Sequence, residues 1–224
     1  MKKIIFLAVV SLTSWTSVDA QKTNYYDAKN ELGISIGAGA NTEIFSGLAK
    51  LTEIAISSIV TTTLTGGMAT GYYKYGEESY IPTVSLEYFR RVSKVVAIGG
   101  FVAFNGLNRD MLLTWKDNST GKKTEKKTGE ARRRNFSILP TAKFDWFRKH
   151  YFGMYSKVGI GISIMNETQK DDMKGGTDFS DTSVIPNYQL TLLGMEGGSS
   201  RLRLFAELGT GEQGIILAGV RAKF

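Results

Sequence analysis

Residues 201–224 read RLRLFAELGTGEQGIILAGVRAKF, and their parity decides the fold. Leu202, Leu204 and Leu208 lie on even numbers, as do Ile216, Val220 and Phe224 beyond a glycine-bracketed link, Gly211 to Gly214. Arg201, Arg203, Glu207, Arg221 and Lys223 all lie on odd numbers. Successive side chains of a strand point to opposite faces, so a period of two predicts two antiparallel strands, each with one apolar and one charged face.

The same parity holds upstream. Segments 32–40, 82–89, 95–105, 135–147, 151–164, 187–195, 201–209 and 215–224 alternate in phase, with Leu32, Leu86, Ile98, Phe136, Ile160 and Leu190 among the even apolar members. None of their 40 even positions is charged, whereas the 43 odd positions hold Glu87, Lys143, Asp145, Lys157, Arg201, Arg203, Glu207, Arg221 and Lys223. A random chain of this composition would place roughly nine charges on each face. The odd face also collects glycines such as Gly33, Gly99, Gly159 and Gly161. These read as small inward positions that let a narrow barrel close, and a Ser at Gly161 is expected to be milder than an Arg at outward Ile160.

Each segment is near the ~9–11 residues that a tilted strand needs to cross a bilayer. The expected fold is therefore all-β: an eight-stranded antiparallel transmembrane β-barrel with apolar even residues toward lipid and a tight polar interior. Alternation alone leaves open a soluble barrel or sandwich whose core is the even face. Connection lengths favour the membrane reading. Links 41–81, 106–134 and 165–186 are long, and 90–94, 148–150 and 196–200 are short, which fits short periplasmic turns and long extracellular loops. By parity Tyr88, Trp146, Phe152 and Phe224 face outward at the short-turn end, and Phe104, Phe136 and Tyr188 at the other, as two interfacial girdles would.

Composition excludes several alternatives. The 224 residues include 25 Gly, one His and no Cys, so disulfide frameworks, zinc fingers, iron–sulfur sites and thiol nucleophiles drop out, and no metal or cofactor is expected. Lys2 and Lys3, the apolar run 4–10 and the small residues before Gln21 read as a signal peptide over 1–20. A periplasmic N-terminal segment over 21–31 and the barrel over 32–224 complete the expected organisation. Without the leader the chain carries 26 basic and 20 acidic residues, a mild excess on an exported chain that points to anionic surfaces and away from nucleic acid.

The ending GIILAGVRAKF, with alternating apolar residues, Arg221, Lys223 and a terminal Phe224, resembles the C-terminal signal of bacterial outer-membrane barrels. The eight segments are similar to the small barrels of the OmpA-transmembrane and OmpX type. The glycine-rich strands and the ELGxGxxGIILAGVRAKF ending look most like outer-membrane β-barrel proteins of Bacteroidetes. The resemblance implies a bacterial outer-membrane location, with Phe224 as an assembly signal read by the barrel-assembly machinery. It implies fold and location far more firmly than activity.

The residues with functional potential fall in two groups. Inside the barrel, Glu87, Asp145 and Glu207 are expected to pair with neighbours among Lys143, Lys157, Arg203 and Arg221, because buried charges need partners. The 106–134 link holds nine basic against four acidic residues. Its Lys122, Lys123, Lys126, Lys127, Arg132, Arg133 and Arg134 are read as a contact for lipopolysaccharide phosphates at the membrane rim. Asp171, Asp172, Asp178 and Asp181 fit no defined calcium loop and read as a solvated acidic loop. His150, beside Arg148 and Lys149 in a short turn, has no partner that would make it a general base.

Three structural details remain. Ile44, Leu48, Leu51, Ala55 and Ile59 are spaced as a short amphipathic helix in the first long link, with β-extension through Thr61 to Thr63 as the alternative. Pro140, mid-strand on the outer face, is expected to mark a bulge, while Pro82 and Pro186 sit near strand ends. Functionally, the expectation is a non-enzymatic monomer whose surface loops contact lipopolysaccharide, host molecules or envelope partners. The alternative is a narrow porin-like channel or transporter for small solutes, which requires interior charges that line water instead of pairing.

Overall fold

A computed structural model describes residues 28–44, 69–171 and 178–224. Eight strands follow one another in a single sheet: β1 (Asn30–Ala38), β2 (Ala69–Arg91), β3 (Val96–Asp117), β4 (Lys123–Arg148), β5 (Phe152–Asp171), β6 (Phe179–Gly198), β7 (Leu202–Gly211) and β8 (Ile216–Lys223). Each pairs antiparallel with the next, and β1 also pairs with β8 from Glu31↔Lys223 to Ala38↔Ile216, so the sheet closes into a ring. The expected leader and most of the segment that follows it lie outside the described residues. So does all but the first turn, 41–44, of the expected helix, together with Thr61 to Thr63 and Asp172.

Closure settles which face is inside. The even residues turn outward: Ile160 is 72% exposed, and Leu32, Leu86, Ile98, Ile138, Leu190 and Leu204 are exposed with it. The odd residues turn inward, and the largest fully buried side chains include Arg203, Arg221, Tyr155, Lys143 and Lys157. Among the described residues the buried apolar cluster is small: Phe101, Ala103 and Leu139. This ring has its polar residues inside and its apolar residues outside, so the even face is not the core of a soluble barrel.

Beyond residue 44, the described parts of the expected long loops are mostly strand. β2 to β6 run 20 to 26 residues, whereas β1, β7 and β8 have 8 to 10, and only 118–122 separates β3 from β4. The 106–134 link is therefore a β-hairpin continuing the sheet beyond the low side of the ring. The alternation test missed it because polar residues occupy both faces there.

Bulges also move the expected faces. β6 gains one residue near Leu192 relative to both β5 and β7, and beyond it the inward residues are even: Gly194 and Glu196 are buried. A one-residue insertion flips every later side chain to the other face. A similar shift in β4 turns both Trp146 and Phe147 outward. Pro140 marks no bulge. It stays in register with Gly100, and β4 and β5 advance equally from Ile138↔Ile162 to Thr141↔Gly159. The register shift falls instead beside Pro82, which lies well within β2 and not near its end. Pro186 likewise lies within β6, in register with Ile162.

The inward glycines are stricter than small-residue positions. A Cβ at Gly161 would stand 2.1 Å from the Ile138 carbonyl oxygen, and one at Gly99 would stand 1.9 Å from that of Tyr88. The neighbouring backbone occupies the space, so Ser at Gly161 is not the milder change expected beside Arg at Ile160. Gly161→Ser should destabilise the protein by roughly 3 kcal/mol, because overpacking against backbone has nothing flexible to displace. Gly197→Ala, whose Cβ would meet nothing closer than 3.7 Å, should leave the urea unfolding midpoint unchanged. Equal midpoints for the two variants would contradict this assignment.

Candidate functional site

Near the short-turn end, the interior is one ion-pair cluster of Glu31, Glu87, Asp145, Glu196 and Glu207 with Arg91, Lys143, Lys157, Arg203, Arg221 and Lys223. Glu87 accepts from Arg221 and, at 3.0 Å, from Lys157. Lys157 also reaches Glu207 at 2.8 Å, and Glu207 accepts the Tyr155 hydroxyl at 2.6 Å. Arg221 bonds Glu196 at 2.7 Å, with its guanidinium carbon 4.9 Å and 4.2 Å from the Tyr155 and Phe205 ring centres. Lys143 meets Glu31 at 2.6 Å, and Lys223 bonds Glu196.

All seven expected interior residues fall in this cluster, but their partners differ in places. The nearest partner of Asp145 is Arg91, at 2.6 Å, with Lys143 at 3.6 Å. Arg203 meets Glu196 and also donates to the carbonyls of Lys149 and His150, which ties the β4–β5 turn to the interior. His150 itself stacks edge-on against Tyr151. Sequence reasoning missed Glu31, Arg91, Glu196 and Lys223 as network members. Glu31 carries the inward parity one residue before the first alternating segment, so extending that segment would have found it. Glu196 could not be found this way, because the β6 bulge reverses its parity.

The far half of the interior is closed by the link between β7 and β8. Gly211 and Gly214 adopt φ of 139° and 112°, which favour glycine, and the two residues between them fold into the ring. Glu212 and Gln213 are fully buried. The Glu212 carboxylate accepts from Asn105 and Asn187, each at 2.8 Å, and from Ser137 and Thr42 at 3.1 Å. Gln213 accepts from Lys157 at 3.0 Å and donates to Ser85 at 2.9 Å. Thus neutral side chains hold one buried carboxylate, and the neighbouring amide joins the two halves. The GEQG sequence, a polar pair between glycines, is the signal that could have located it.

The structure divides the basic residues of the β3–β4 hairpin. Lys122, Lys123 and Lys126 are exposed. Lys127 bonds Asp110 at 2.9 Å and Glu130 at 3.2 Å, and Arg132 bonds Glu130 at 3.2 Å. The bonds from Lys127 and Arg132 hold Glu130 below its ordinary pKa, and those from Asp110 and Glu130 raise Lys127. The Ser119 hydroxyl and amide and the Thr120 amide pull exposed Asp117 down to about 2, which fixes the tip of the hairpin. Arg133 departs from the expected rim group. It faces inward and, with Arg109, holds Glu167 at 2.8 Å and 3.1 Å. Partial burial pushes the Glu167 carboxyl up, but Arg133, Gln169 and Arg109 together hold it below the usual range.

Among the described residues, no three His, Asp or Glu side chains converge as a metal site. No protein-family model and no curated protein matches the chain.

The two kinds of buried carboxylate predict different costs. Glu87→Gln leaves Arg221 with Glu196 and Lys157 with Glu207 as their remaining close carboxylates, adds one uncompensated positive charge to the buried cluster, and should cost about 3–5 kcal/mol in urea unfolding. Glu212→Gln keeps an acceptor among neutral donors and should cost about 1 kcal/mol. The reverse order would mean that the interior is not organised by charge pairing.

Proposed function

We propose that the chain is a membrane-embedded β-barrel of the bacterial outer-membrane type, non-enzymatic, whose extended hairpins contact anionic partners at the cell surface. The observation that carries this reading is the inside-out ring. Its outer face is apolar on every strand, whereas contiguous exposed apolar patches above a few hundred Å² are rare on monomeric soluble proteins. A bilayer would cover that face. Exposed Trp146, Phe147, Tyr151, Phe152 and Phe224 gather at the short-turn end, which suits an interfacial aromatic belt. Phe224 there is the residue that an assembly machinery would read. No helix of the described residues is long and apolar enough to cross a membrane.

The interior argues against the channel alternative. Arg221, Lys157, Tyr155 and Gln213 fill the cross-section, and an eight-stranded barrel is only wide enough for its own side chains. The pairing described above leaves these groups engaged with one another instead of lining water.

Strand length relocates the surface contact. Lys123 is thirteen residues along β4 from exposed Phe136, so at ~3.3 Å per residue and barrel tilt it stands roughly 30 Å beyond that aromatic. That is about three Debye lengths at ordinary ionic strength, too far to feel lipid headgroup phosphates. Lys122, Lys123 and Lys126 are thus suited to an anionic glycan or host molecule, whereas Arg132 and Arg134 remain near the rim.

Two measurements test these parts separately. Ile160→Arg should destabilise the vesicle-inserted protein by ~2–4 kcal/mol, and insertion unaffected by this change would overturn the membrane reading. Replacing Lys122, Lys123 and Lys126 with Gln should weaken retention on dextran sulfate at low salt and leave folding intact. Wild type and variant should converge near 1 M salt, where the Debye length is ~3 Å. Equal retention at low salt would reduce the lysines to a solvated tip.

A further inference from the structure

Among the described residues, Arg134 is a held cation that meets no carboxylate. Its Nη2 donates to Asn108 Oδ1 at 2.8 Å, and its Nη1 to the carbonyls of Arg133 and Leu107 at 2.9 Å and 3.4 Å. Every one of these acceptors is neutral. The side chain lies across Gly106, where a Cβ would come within 3.1 Å of both Cδ and Nη1. The guanidinium is therefore fixed against the outside of the sheet, yet among the described residues no carboxylate lies within ion-pair distance of it.

It lines an outward groove of about 430 Å³ with Ser79, Asn108 and Arg132. The groove also contains acids, and each is engaged. Asp110 and Glu130 are bonded by Lys127 and Arg132, and Glu78 accepts the Tyr80 hydroxyl at 2.7 Å. Arg109, at its edge, is committed to Glu167. Arg134 is the cation of the groove that meets no carboxylate among the described residues.

The height of the groove is set by register. Phe104 pairs with Phe136 and Gly106 with Arg134, so Arg134 stands two residues, ~7 Å, beyond an exposed aromatic pair at the edge of the apolar face. If that face is embedded in lipid, the guanidinium lies at headgroup depth. A planar guanidinium whose Nε–H and second Nη2–H are not used in these bonds matches a phosphate. We propose that this groove is a binding site for the phosphorylated headgroup of a membrane lipid, with Arg134 as the phosphate anchor, Asn108 as the group that orients it, and Ser79 and Arg132 as flanking donors. The proposal rests on the membrane reading above.

The test uses the full chain inserted in phosphatidylcholine vesicles, with bisphosphorylated lipid A, its dephosphorylated form and inorganic phosphate as probes. Wild type should retain the bisphosphorylated form in preference to the dephosphorylated one, as read by native mass spectrometry of the extracted protein. Arg134→Gln should reduce that retention roughly tenfold, the scale of losing one charge-assisted contact. Arg134→Lys should restore part of it, and Asn108→Leu should weaken it with the arginine still present. All variants should insert as wild type does, because the groove lies outside the interior network. Equal retention of the two lipid forms, unchanged retention in Arg134→Gln, or competition by inorganic phosphate without any lipid preference would each overturn the proposal while leaving the membrane reading intact. Failure of the wild type to insert would overturn both.

Discussion

The structure depends on the mutual neutralisation of charges that cannot reach water. Each ion taken into the ring carries a desolvation cost of several kcal/mol, which only close opposite charges and hydrogen bonds offset. Arg221 is the clearest case: it is fully buried, bonded to Glu87 and Glu196, and faced by two aromatic rings. Its partners come from β2 and β6, so the network forms only when the ring is closed and every strand is in register. A one-residue slip of β8 would turn Arg221 to the outer face and place Val220 or Ala222 among carboxylates. The charges thus do more to specify one register than to add net stability.

Close backbone approach serves the same arrangement. Gly99 and Gly161 occur where a neighbouring strand's carbonyl occupies the space of a side chain, which draws the strands around a small cross-section. That small interior is why a two-residue link, Glu212 and Gln213, suffices to fill the far half. It is also why Lys157 can reach Glu87, Glu207 and Gln213 at once. Glycine placement, charge pairing and closure are mutually dependent.

The alternation of apolar even and charged odd residues made the eight strands, their antiparallel order and the inward position of Glu87, Lys143, Lys157, Glu207 and Arg221 legible from sequence alone. Three things were not legible, each for a physical reason. Strand extension beyond the apolar face leaves no periodic signal, because both faces of a solvated hairpin are polar, as along Lys123 to Arg134. Bulges are single-residue events without a composition mark, so Glu196 fell in the expected 196–200 link and its inward position was not visible. The roles of Arg133 and Arg134, adjacent and chemically identical, depend on parity within that hairpin: one turns in to Glu167, and the other lies outside over Gly106. A charge count could not separate them.

The central claim is that the even face of this ring meets lipid. Because the chain has no cysteine, single cysteines at Val158, Ile160, Ile162 and Ile164, and at Lys126 on the hairpin, can be spin-labelled without background. In phosphatidylcholine vesicles, collision of the label with oxygen should exceed collision with a water-soluble nickel chelate at all four even positions of β5, and the order should reverse at Lys126. Nickel collision dominating at Ile160 and Ile162 as it does at Lys126 would show that water covers the apolar face, and would contradict the account.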